Sequence, residues 1–73
     1  MKSEKLIKMA NQVGDFYEAF PDQAEARKEI AGHLNKFWNL NMRQSIAKHV
    51  SEQQGAGLHE RVIEAIQQHL KLS

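Results

Sequence analysis

Apolar residues recur along this chain with a period near 3.6, and no stretch alternates as a strand would. At about 100° per residue, Leu6, Ile7, Met9, Ala10, Val13, Gly14, Phe16, Tyr17 and Phe20 share one half of a first helix. Lys5, Lys8, Asn11, Gln12, Asp15 and Glu18 fill the other half. Ser3 is placed to cap this helix, and Pro21 ends it, because the residue before proline avoids the α region. Asp22, with Glu25 three residues on, starts a second helix with a capping-box pattern. Its stripe is Ala26, Ile30, Ala31, Leu34, Phe37 and Trp38. Asn39 or Asn41 caps a third helix carrying Met42, Ile46, Ala47 and Val50. Gly55-Ala56-Gly57 stops it, since glycine accepts the left-handed conformation found past helix ends. A fourth stripe follows: Leu58, Val62, Ile63, Ala65, Ile66 and Leu70. The pattern predicts an all-α fold, one small domain over residues 1–73, with helices at about 4–20, 22–38, 40–53 and 59–70.

Size and charge narrow the function. With 73 residues and an apolar fraction of 41%, such a chain buries only about 60% of its unfolded surface, so its core is thin. No apolar run approaches the ~18 residues of a membrane span. Met1 to Ala10 mixes Lys2, Lys5 and Lys8 with Glu4, which is not a secretory signal. There is no cysteine, although small secreted domains are usually stapled by disulfides. The expected location is the cytoplasm. Ten Lys and Arg against nine Asp and Glu argue against a general nucleic-acid binder, whose affinity comes from neutralising phosphates.

Candidate chemistry is sparse. Of His33, His49, His59 and His69, no two have the i, i+4 spacing of a helical zinc site. His69 falls within the apolar face of the fourth helix, as a packed residue near a helix C-terminus would. No serine has a nucleophile's context, and the glycine pair lacks the Lys-Ser/Thr of a phosphate loop. Glu25 and Glu29 lie on a polar face. Four short helices do not readily enclose a pocket of ~300 Å³, so no catalytic residue, metal or cofactor is expected.

What remains is surface for a partner. The apolar half of helix 1 spans about 180°, wider than the ~100° stripe of a surface helix, with Met9, Phe16 and Phe20 along one edge. Arg27 and Arg43 fall inside apolar arcs, where arginine either snorkels to water or meets a carboxylate. Helix 1 begins with lysines and ends with Asp15 and Glu18, against the preference of the helix dipole. The layout of helix 2, a break and helix 3 leaves open a small helix-turn-helix nucleic-acid binder offering Arg43, Gln44 and Lys48. A homodimeric regulator closing on helix 1 is also open.

A set of fragments, in order, carries a family resemblance. They are Lys8-Met9-Ala10-Asn11-Gln12-Val13-Gly14 with Phe16, Pro21-Asp22, Ile30-Ala31 with His33-Leu34, Phe37-Trp38 with Met42-Arg43, His49-Val50, and Gly55 with Gly57-Leu58 and Val62. From about Leu6 to Ile66 the chain resembles the small delta subunit of soluble, NAD-dependent, molybdenum-containing formate dehydrogenases. Two departures stand out. Asn39-Leu40-Asn41 replaces the family's Glu-Pro-Arg, and His59-Glu60 replaces its Ser-Pro.

The resemblance implies a non-catalytic accessory subunit without cofactor. It would bind the catalytic alpha subunit, which carries the molybdenum centre, and support assembly, stability or cofactor maturation. The expected interface combines Met9, Phe16 and Phe20 with Trp38, Met42 and Arg43, because large aromatics and arginine dominate interface energetics. Trp38 and Met42 fit core packing equally well.

Overall fold

A computed structural model describes residues 3–73. The chain forms α1 (Ser3–Phe16), α2 (Gln23–Phe37), α3 (Leu40–Gln53) and α4 (Glu60–His69), with no strand among the described residues. The all-α expectation holds.

The caps explain the boundaries. The Asp22 carboxylate accepts from the N–H groups of Ala24 and Glu25 at 3.0 and 3.3 Å, starting α2. Asn39, rather than Asn41, caps α3 by accepting from the Met42 N–H at 2.9 Å. At the end of α3, Gln54 and Gly55 both take positive φ, 57° and 71°. The Gly55 N–H reaches back to the His49 carbonyl at 3.4 Å.

The first helix departs from expectation at its C-terminal end. It stops at Phe16, four residues before Phe20. Tyr17, Glu18 and Phe20 instead donate to Gly14, Asp15 and Tyr17, three residues back, at 3.1–3.2 Å. The chain thus tightens into successive 3₁₀-type turns before Pro21. Ser3, expected as the cap, already lies within α1, and what precedes it lies outside the described residues.

The main core gathers Leu6, Leu34, Trp38, Ile46 and Val62 with smaller neighbours. Ile30, Ala31 and Ala65 form a second cluster, and Val13 packs against both. α2 and α4 share the most extensive contact and run parallel. Arg27 stands across from Glu64, and Asn35 from His69 and Lys71. α1 packs against all three other helices, with Leu6, Ala10 and Gly14 as its buried line. No described helix is long and apolar enough to cross a membrane.

Gly32 marks a weak point in α2. A Cβ there meets nothing within 4 Å, while glycine inside a helix costs about 0.5–1 kcal/mol relative to alanine. Gly32→Ala is expected to raise the thermal midpoint by roughly 2–8 °C in a circular dichroism melt.

Candidate docking surface

Among the described residues, no three His, Cys, Asp or Glu side chains converge to hold a metal ion. The depressions are open shelves, such as that over Lys5, Lys8, Met9 and Gln12. What the fold offers a partner is exposed apolar side chains at two places.

The first is the α1–α2 turn. Phe16 is 77% exposed, the highest value among the described large apolar residues. It meets Tyr17 edge-on at 4.9 Å between ring centroids, and Tyr17 meets Phe20 edge-on at 5.2 Å. Tyr17 is half-buried against Ile30, Ala31 and Ala65. The trio is therefore a short aromatic stack whose middle ring is anchored in the core and whose outer ring stands in solvent.

Two asparagines tie distant parts of the frame together. Asn11 of α1 donates to the Gly57 carbonyl and accepts from the His59 N–H, both at 2.9 Å. This ties α1 to the α3–α4 loop, where His59 Nδ1 also lies 3.2 Å from the Asp15 carboxylate. Asn35 donates to the His69 carbonyl at 3.2 Å and accepts from the Lys71 N–H at 2.8 Å, pinning the chain after α4 onto α2. Asn11, Asn35 and the anchoring Tyr17 are positioning residues that sequence reasoning missed. An amide on a polar helix face reads as solvated. Only Asn11's place in the matched Met-Ala-Asn-Gln fragment could have drawn notice.

The second place is the α2–α3 corner. Phe37 is 65% exposed and Leu40 38%; Leu72, 46% exposed, lies apart from them, between α3 and α4 beside Ala47 and Leu70. Lys36 Nζ lies 5.5 Å from the Phe37 ring centre, and the His33 ring packs against it at 4.7 Å. Phe37 was expected on the core face of its helix. It is the last residue of α2, one turn beyond Leu34, where no neighbouring helix covers it. His69, expected to pack, is exposed at the last residue of α4 for the same reason.

The expected interface residues divide by depth. Met9 and Met42 are half-buried against the main core cluster, and Trp38 lies inside it at 6% exposure. Phe16 and Phe20 are joined through Tyr17 in the aromatic turn. Arg43 is half-buried at the start of α3, with its Nε buried and without a hydrogen-bond partner. Arg27, the other arginine expected inside an apolar arc, reaches Glu64 at 4.0 Å.

Comparison with known proteins adds the family. No curated protein and no solved structure matches the chain. A family model does, that of the NADH-dependent formate dehydrogenase delta subunit FdsD, over residues 5–66. That span takes in α2 and α3, most of α1 and α4, and the Asn11 clasp, while the partners of Asn35 lie beyond it, and it bears out the resemblance read from the ordered fragments. The chain belongs to the FdsD family of formate dehydrogenase delta subunits.

Proposed function

We propose that this chain is a non-catalytic accessory subunit, acting in the cytoplasm. It binds the catalytic, molybdenum-carrying subunit of a formate dehydrogenase and supports its assembly, stability or cofactor maturation. The observation that supports this most is Phe16, a large ring held 77% exposed on an ordered turn of a family known as a dehydrogenase subunit. Exposed aromatics of this kind are typical anchors at protein interfaces.

The interface in this reading uses Met9, Phe16 and Phe20 from the α1 side and Met42 and Arg43 from the start of α3. Trp38 supports Met42 from beneath. Arg43 has the character of an interface group. Its Nε is buried and unpartnered in the chain, as are those of Arg27 and Arg61, and an unsatisfied buried donor costs about 1–3 kcal/mol. A carboxylate on a partner would remove that cost and engage the guanidinium fork.

Arg43→Ala is expected to weaken binding to the catalytic subunit by roughly 30-fold, the scale of an interface hot spot. The helical circular dichroism signal of the isolated variant should match that of the native chain. Loss of helicity would make Arg43 a structural residue and remove it from the interface.

A further inference from the structure

The two exposed apolar groups differ in the charge around them. From Asp15 to Glu25 the chain carries four carboxylates, Asp15, Glu18, Asp22 and Glu25, and no Lys, Arg or His. The aromatic stack sits inside this run. Glu18 is exposed, and the depression beside the turn is lined by Asp15, Glu18, His59, Glu60 and Arg61, three carboxylates against one guanidinium. The Phe37 corner has the opposite character, with Lys36 over its ring and Lys71 held nearby through Asn35.

Acidic groups near the end of α1 gain nothing from the helix dipole, which favours cations there. No basic residue stands in the last turn of α1. One of these carboxylates, Asp15, is matched within the chain by His59, and Asp22 serves as the cap of α2. Glu18 has no such role. An exposed ring on a rigid stack, surrounded by negative charge, complements a surface of particular chemistry.

We propose that the α1–α2 turn docks into an apolar pocket rimmed by lysine or arginine on the catalytic subunit. Phe16 enters the pocket, and Glu18 with its neighbouring carboxylates meets the basic rim. This deepens the docking-subunit reading above and depends on it. The fixed stack limits the ordering cost of binding, because Tyr17 already holds its neighbours in place. The carboxylates act mainly on the rate of encounter and on the choice of partner.

The test titrates fluorescently labelled full-length chain with formate dehydrogenase purified from a strain lacking it. Native chain is compared with Phe16→Ala, Glu18→Lys and Phe37→Ala, each first checked for a native-like melt. Raising the ionic strength from about 0.01 M to about 0.1 M shortens the screening length from roughly 30 Å to roughly 10 Å. Native association should slow by about tenfold over that range. Phe16→Ala should weaken binding by roughly 30-fold. Glu18→Lys should slow association at low salt and flatten the salt dependence, while Phe37→Ala should leave the affinity unchanged.

Native binding that is indifferent to Phe16→Ala and Glu18→Lys overturns the proposal and leaves the docking-subunit reading standing. So does a loss confined to Phe37→Ala. Absence of native binding to the enzyme overturns both. A homodimer of the isolated chain in light scattering that Phe16→Ala dissolves assigns the turn to a second copy and also overturns the proposal.

Discussion

Trp38→Ala is expected to destabilise the isolated chain by about 3–5 kcal/mol, the range for truncating a buried aromatic. Trp38 is 6% exposed and packs with Leu34, Ile46 and Val62 in the main cluster. It also caps the C-terminus of α2, donating its backbone N–H to the Leu34 carbonyl at 2.9 Å. Native domains hold about 0.05–0.15 kcal/mol per residue, so a chain of 73 residues has roughly 4–11 kcal/mol to lose. Trp38→Ala should therefore forfeit a large share of that stability and lower the thermal midpoint by roughly 12–40 °C, as read by circular dichroism. Saturating catalytic subunit should restore part of that stability, since a partner binding only the folded state stabilises it by mass action. Arg43→Ala should show the reverse signature, with native stability and weakened binding. A Trp38→Ala chain that melts like the native one would place the indole in an interface instead.

Gly14→Ala is expected to lower the thermal midpoint by up to about 15 °C, as the balance of two opposed effects. Alanine is a better helix former than glycine by about 1 kcal/mol. Against this, a Cβ on Gly14 would stand 2.5 Å from Val62 Cγ2. That methyl cannot swing aside cheaply, because valine inside a helix keeps one strongly preferred rotamer. α1 must therefore lift away from α4, and overpacking of this kind costs about 1–3 kcal/mol and occasionally more. Asn11 and Asp15, one turn apart on α1, would lose their alignment with His59 in the same movement. The double variant Gly14→Ala, Val62→Ala should recover part of the loss by opening space, although it forfeits the buried valine. A single Gly14→Ala chain more stable than the native one would show that α1 does not rest against Val62.

Most of the fold was legible because it depends on signals local to each segment. The 3.6 period, the Asp22 and Asn39 caps and the glycine pair each act within a few residues, and each lies where the sequence indicated. The misplacements share one cause. Phe37 and His69 are each the last residue of a helix and Phe20 lies past the end of one, where an angular projection still assigns a face although the helix no longer presents it. The candidate docking surface was legible in part. Phe16 was singled out because the apolar half of helix 1 was too wide, and it is exposed. Met9, Trp38 and Met42 lie at half-buried or buried positions in a single cluster, which periodicity cannot separate from an interface edge. The asparagine clasps join residues 34–48 positions apart. A side-chain amide carries no mark in sequence of so distant a backbone partner.

The account turns on docking to the catalytic subunit, and recovery from the native setting tests this most directly. The tagged full-length chain is purified from lysate of its own organism, and the accompanying proteins are identified and quantified by mass spectrometry. The account predicts a large molybdenum-pterin, iron–sulfur dehydrogenase subunit in near-stoichiometric amount, lost when Phe16 and Arg43 are both replaced by alanine. Recovery of the chain alone, as a homodimer, or with nucleic acid in place of that subunit would contradict it.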